Sequence, residues 1–212
     1  MIENFKLIHE DDNLLYFDGI ATQKDKTKSV EYSENYFEKY VKYEGTPIAV
    51  ALNNSRVTIT EKYCKNTLLD IGIGSGEFIK LSNIKVYGFD INPYGVEWLK
   101  SKGLFVNPYE ETVNVEGWTF WDSLEHFPEP QDILTKILPT QYTFISIPIF
   151  DNILTIKQSK HYRENEHYYY FTASGLISYM EKSGFTFIEQ LDSEIKAGRK
   201  DILTFVFLKN FK

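Results

Sequence analysis

Three glycines stand within five residues in LLDIGIGSGEFI, at Gly72, Gly74 and Gly76, between an apolar run and a short amphipathic one. Glycines directly after a strand let the backbone turn tightly and let a ligand approach its N–H groups, and a helix start beyond them favours anionic or polar groups. The next apolar run, IKVYGFD, ends at Asp90, where a carboxylate can accept both hydroxyls of a ribose. The pair therefore points to a nucleoside-bearing ligand. A dinucleotide fingerprint starting at Gly72 needs glycine or alanine at position 77, where the chain has Glu77. The observed spacing is G-x-G-x-G, which argues against a nicotinamide cofactor.

The histidines form the other reactive group. His9, His126, His161 and His167 are the full set, and the last three fall after the fourth and fifth expected strands of the alternating region, where loops border the ligand-binding edge of an α/β sheet. His126 sits in WDSLEHFPEP, where Leu124 and Phe127 pack inward and Glu125 and His126 organise a turn. His161 and His167 stand in KQSKHYRENEHYYYFT, a connection too rich in rings and charges for a plain linker. This segment is expected to act as a lid. His167, and after it His161, are the candidates for a general base, while Tyr162 and Arg163 offer a ring and a cation to an acidic, unsaturated or cyclic acceptor. The alternative is that the tyrosines pack beneath the loop and the cations solvate it. These histidines with Glu164 and Glu166 lack a matched ligand spacing, so no metal is expected.

The elements that must position these residues follow from pattern. FKLI and LLYFDGI read as two short strands about HEDDN, an N-terminal hairpin over residues 1–23. Two covering helices span 33–65. Ser33 caps the first and Gly45 ends it, with Tyr36, Phe37 and Tyr40 as its apolar stripe; Thr46 and Pro47 open the second, with Ile48, Leu52, Ile59 and Tyr63 along one face up to Cys64. Arg56 falls on that same stripe and must snorkel, close an ion pair, or reach a ligand carboxylate or Asp70. From residue 66, strands TLLDIG, IKVYGFD, LFV, GWTFWD and YTFISIPI alternate with helices EFIKLS, NPYGVEWLKSKG and DILTKIL. Such alternation means a mostly parallel sheet with helices on both faces. Thr172 caps a late helix to Lys182, and FTFIEQLD and ILTFVFL are joined only by SEIKAGRKD, which permits a hairpin and so one antiparallel strand.

In LLDIGIGSG, FDINP and the closing hairpin the chain resembles the class I S-adenosylmethionine-dependent methyltransferases, over roughly residues 66–208. WDSLEHFPEP is similar to the LEH segment of many small-molecule members. The resemblance implies an α/β Rossmann-like methyltransferase fold whose mostly parallel sheet has seven strands, with 66–212 as the cofactor-binding core of a single domain, 1–212. It further implies that Gly72, Gly74 and Gly76 wrap the methionine part of S-adenosylmethionine with Asp70 near its amino group, and that Asp90 holds the ribose. Ile91 would lie against the adenine, Asn107 at its edge, and Trp121 and Asp122 beside the methyl donor. The expected activity is methyl transfer to an O or N of a small acceptor. Two alternatives stay open: a cofactor-binding protein without turnover, serving as regulator or partner subunit, and methylation of RNA or protein. The family's signature for nucleobase amines, Asn or Asp then Pro-Pro and an aromatic, is replaced here by DSLEH.

Composition agrees with that class. The 212 residues carry 23 Lys plus Arg against 30 Asp plus Glu, a net charge of -7 that repels a phosphate backbone and disfavours nucleic acid as partner. The one cysteine, Cys64, permits no internal disulfide, the first residues have no signal-peptide pattern, and no apolar run reaches membrane-spanning length. A cytoplasmic protein without membrane contact is expected, and the pattern says nothing of its oligomeric state.

Overall fold

The computed structural model describes residues 2–28 and 34–211. Its core is a six-stranded sheet built from β4 (Thr67–Ile71), β5 (Lys85–Phe89), β6 (Gly117–Trp121), β7 (Tyr142–Pro148), β9 (Phe185–Leu191) and β10 (Ile202–Lys209), in the order β5-β4-β6-β7-β10-β9. β5, β4, β6 and β7 are mutually parallel, and β10 runs antiparallel to both β7 and β9. Seven strands were expected from the pattern; the seventh, Leu104–Val106, is reduced to a single parallel bridge between Gly88 and Phe105. Three apolar residues between a helix end and a polar loop give too little length for a ladder.

Local chemistry sets the helix boundaries. α2 (Pro47–Tyr63) begins with Thr46 Oγ1 accepting the Ala49 N–H and Pro47 in its first turn; α4 (Pro93–Ser101) begins in the same way with Asn92, which accepts the Tyr94 N–H. α6 (Ala173–Lys182) has Thr172 accepting from Gly175. α1 (Glu34–Tyr43) ends at Gly45, whose φ of 74° is the left-handed value that stops a helix; the expected Ser33 cap lies outside the described residues. α5 (Pro130–Leu134) starts earlier and stops sooner than DILTKIL suggested, and α7 (Ser193–Lys196) folds within the expected plain link SEIKAGRKD. The buried face of α2 follows the predicted stripe only at Ile59 and, in part, Tyr63. Ala49, Asn53, Val57, Ile59 and Thr60 are buried, while Ile48 is 54% exposed and turns with Leu52 toward a cavity.

The N-terminal expectation changes most. Instead of a hairpin, β1 (Leu7–Glu10), β2 (Leu14–Phe17) and β3 (Ile20–Gln23) form a meander, and β8 (Tyr169–Phe171) joins it antiparallel to β3, giving the order β1-β2-β3-β8. β8 is the YYF that ends the run YYYF of the expected lid. Tyr168 to Phe171 are all at most 4% exposed, so these rings are core, because the meander supplies hydrogen-bonding and apolar partners that the local sequence does not show. The second sheet reaches the first at Phe171, which bridges to Ile149 and accepts the Phe150 N–H at 3.0 Å.

One contact fixes the meander to the core. The Gly19 carbonyl accepts the Thr172 N–H at 2.8 Å, and a Cβ on Gly175 would stand 1.9 Å from that carbonyl oxygen. Backbone cannot yield as a side-chain tip can. Gly175→Ala is expected to destabilise the fold by about 3 kcal/mol or more, whereas Gly198→Ala, with open space around it, should cost only its left-handed backbone strain of roughly 1 kcal/mol. Urea denaturation of the two variants checks the difference.

Candidate functional site

β4 lies between β5 and β6, so the connections leaving β4 and β6 run to opposite sides and open a crevice at the carboxyl ends of the strands. A cavity of about 790 Å³ occupies that crevice, roofed by α1 and α2. Its size suits a small molecule, for which sites of about 300–1,000 Å³ are usual. Asp70, Gly72, Gly74, Asp90, Ile91, Trp121 and Asp122, all expected from the sequence, line it. Gly76 and Asn107 do not. Gly76 has a φ of 74° and faces Trp98, whose ring carbon would lie 2.7 Å from a Cβ, so close packing against α4 requires a glycine here. Asn107 accepts the Tyr109 N–H at 3.0 Å in a tight turn, and it is Tyr109 that reaches the cavity.

Asp90 shapes the glycine turn. Its two oxygens accept the N–H groups of Ile73 at 2.9 Å and Asn92 at 2.8 Å. The Ile91 amide bears on it as well, and with about four lone-pair sites a carboxylate keeps capacity for a ligand. Burial raises its pKa, opposed by these amides. Asp70 is 1% exposed and is held by Thr119 Oγ1 at 2.6 Å; burial pushes its carboxyl up to about 7, against the pull of Thr119 and Arg56. Ile91 is 63% exposed, an apolar side chain open at the rim.

The wall opposite is a ring of four charges. Arg56 Nε donates to Glu194 at 2.8 Å and its Nη2 to Asp122 at 3.2 Å; Arg199 Nη1 donates to Asp122 at 2.7 Å and to Glu194 at 2.5 Å. Of the readings left open for Arg56, an ion pair is what the structure holds, with Asp122 and Glu194 in place of Asp70. Burial favours the neutral form of Asp122, but Arg199 and Arg56 hold its carboxyl below the ordinary range. Asp122 also takes a φ of 53°, which Asp tolerates better than most residues. Arg199 and Glu194 sit in the α7 region, 72 or more positions after Asp122, and nothing in the local sequence marks them as site residues.

Glu77 ties the roof to the glycine turn: it accepts from the Gly45 N–H at 2.7 Å and from Asn53 Nδ2 at 2.9 Å. Two buried donors of the wall, Trp121 Nε1 and Ser123 Oγ, have no partner among the described residues. Orphaned donors on a cavity wall fit a polar ligand.

The histidine segment is placed elsewhere. Tyr162, Arg163, His161 and His167 do not line the cavity, so KQSKHYRENEHYYYFT is not a lid over it. Arg163 pairs with Glu166 at 2.9 Å, and a ring nitrogen of His161 meets the Lys200 carbonyl at 3.1 Å. His161 is pushed toward its neutral form by burial. His167 is 5% exposed; burial, then His126 and Arg163, push its pKa down to about 3. His126, whose pKa burial lowers, does line the cavity, and its ring packs edge-on against that of His167 with centroids 4.7 Å apart.

Comparisons with known proteins agree with this geometry. The methyltransferase-domain family matches residues 59–190. A S-adenosylmethionine-dependent methyltransferase from Methanosarcina mazei superposes with a TM-score of 0.54 at 18% identity, over 73% of this chain and 98% of the other. Another from Archaeoglobus fulgidus gives 0.57 at 20% identity, over 83% and 100%. The magnesium protoporphyrin IX methyltransferase of Synechocystis PCC 6803, seen with bound SAH, gives 0.59 at 13% identity, over 84% and 96%. A search of curated proteins finds no match. No helix among the described residues is long and apolar enough to cross a membrane.

Two tests follow from the buried acids. Arg199→Ala leaves Asp122 and Glu194 sharing one cation, and should cost about 3 kcal/mol in chemical denaturation. For Asp70, the folded-state value of about 7 lies above the ordinary 3.8, so the folded chain holds the extra proton between them. Its contribution to stability is complete below about pH 4 and is lost as pH rises through 7. Asp70→Asn should therefore flatten the fall in unfolding free energy between pH 4 and 7, measured by urea titrations across that range.

Proposed function

The chain belongs to the methyltransferase-domain family and is an S-adenosylmethionine-dependent enzyme, and we propose that it transfers the methyl group to an O or N of a small acceptor. The observation that carries the reading is the continuous cavity that joins the glycine turn and Asp90 at one end to the Trp121, Asp122 and Arg199 wall at the other. Residues of α1 and α2 line this cavity, its size suits a small molecule, and the net charge of -7 disfavours a nucleic acid substrate.

The bound cofactor supplies an activated electrophilic methyl, so the protein has chiefly to bind and align. In this reading Asp90 uses its remaining lone-pair capacity for the ribose hydroxyls, and Ile91 with Tyr109 covers the adenine. Gly72 and Gly74 receive the methionine end, whose ammonium would meet Asp70 and return that carboxyl to its charged form. Trp121 Nε1 and Ser123 Oγ offer the donors that the protein leaves unpaired. The Asp122–Arg199–Glu194–Arg56 ring keeps the wall near the acceptor rigid and overall neutral. His126 lines the cavity at this end, and His167, the base expected from sequence, stands behind it, ring against ring.

Calorimetry with S-adenosylmethionine and with its demethylated product tests the cofactor reading. Wild type should bind both, and Asp90→Ala should lose about 2–3 kcal/mol, some 30- to 150-fold in affinity. Absence of any heat or thermal shift with either ligand would sink the assignment. Product release stimulated by a small-molecule extract, but not by RNA or protein from the same cells, is the outcome expected for a small acceptor.

A further inference from the structure

Among the described residues, a buried carboxyl with no side-chain partner lies at the edge of the cofactor crevice. Glu125 is 1% exposed, and neither of its carboxylate oxygens has a hydrogen-bond partner among the described residues beyond its own amide. His126 Nδ1 is buried and equally without a partner among them. One ligand atom each of Glu125, His126 and His167 lies within 4.8 Å of the other two. A carboxylate buried without a cation or donors is among the costliest arrangements a fold can hold. Two imidazoles converge on it.

We propose that Glu125, His126 and His167 bind one divalent transition-metal ion, Zn²⁺ or a first-row neighbour, at the edge of the cavity. Two imidazole nitrogens and one carboxylate are a donor set that such ions take, with at least one coordination position left open. In a tetrahedral site with bonds of about 2.0–2.1 Å, ligand atoms stand roughly 3.3 Å apart. The three side chains would therefore close by no more than about 1.5 Å on binding.

The surroundings are built as a metal site requires. The Glu166 carbonyl faces the His126 ring and the His161 carbonyl faces that of His167; carbonyls in this position fix the tautomer and aim the other nitrogen. The backbone of His167 is clamped, its N–H donating to the Arg163 carbonyl at 3.0 Å and its own carbonyl accepting from Gln23 Nε2 at 2.7 Å. The Tyr168 N–H donates to the Glu125 carbonyl at 2.8 Å, which sews the two halves of the site together. Asp122 adds negative charge nearby, opposed by Arg199 and Arg163. Since His126 lines the cavity, the open position faces it and would take an oxygen of the acceptor. That use rests on the methyl-transfer reading; the metal site itself does not.

The test is metal binding by the full chain after dialysis against a chelator, with no cofactor present. Titration with Zn²⁺ should give one equivalent, raise the melting temperature, and compete with Co²⁺, whose visible absorption reports tetrahedral or five-coordinate nitrogen and oxygen ligation. Glu125→Gln, His126→Asn and His167→Asn are close in shape to the native residues and should each weaken Zn²⁺ binding at least tenfold, while S-adenosylmethionine binding stays within threefold. No stoichiometric Zn²⁺ or Co²⁺ binding by the folded wild-type chain would overturn the proposal, as would binding unchanged in Glu125→Gln and His167→Asn. Should the variants fail to fold, the wild-type stoichiometry and Co²⁺ spectrum decide alone. A chain that binds metal but not the cofactor would support the metal site and count only against the reading of the crevice.

Discussion

Negative charge gathered at one edge of a buried sheet has to be compensated, and much of this structure follows from how that is done. Asp70, Glu77, Asp90, Asp122, Glu125 and Glu194 all lie around the carboxyl ends of β4, β5 and β6. Four of them, Asp70, Glu77, Glu125 and Glu194, are buried outright. Each charge taken out of water needs a donor or a cation. Asp90 is answered by two backbone amides, and the glycine turn takes its form from them. Glu77 is answered by Gly45 and Asn53, which brings α1 and α2 down as a roof. Asp122 and Glu194 share two arginines and so bind the α7 region to the end of β6.

Two acids are left underprovided. Asp70 has one hydroxyl donor, from Thr119, and Glu125 has none besides its own amide. Burial raises the pKa of both. A fold that compensates four acids with care and leaves two short marks the positions where something from outside completes the balance. Asp70 opens on the cavity, where a cationic ammonium fits; Glu125 faces two neutral imidazoles, where a metal ion fits.

The second sheet belongs to the same scheme. The meander of β1, β2 and β3 is anchored by the Gly19–Gly175 approach, where no side chain has room. It recruits β8, and through Gln23 it holds His167 in place. The N-terminal segment thus bears on a site more than a hundred residues away in sequence. The same pairing explains why a run of tyrosines beside lysines is core and not lid: the meander pairs along the edge of β8, Phe150, Ile153 and Ile156 cover the Tyr170 face, and the main core covers Tyr169 and Phe171.

What the sequence determined by itself was everything with a local cause. The caps Thr46, Asn92 and Thr172, the alternating strands and helices, the glycine turn with Asp90, and the closing hairpin each depend on residues within a few positions of one another. Asp70, Gly72, Gly74, Ile91, Trp121 and Asp122 were legible for the same reason, since strand ends of an α/β sheet fall on one edge. Tertiary structure alone decided the rest. Gly76 and Asn107 had the right types in the right places, yet one packs against Trp98 and the other closes a turn, because orientation depends on neighbours far along the chain. Arg199 and Glu194 show no local pattern. His167 lies some forty positions after Glu125 and His126, and the pairing of β8 with β3 holds it where one ligand atom of each lies within 4.8 Å of the others. Spacing along the sequence cannot report a cluster held together by a strand whose pairing partner lies more than a hundred residues away.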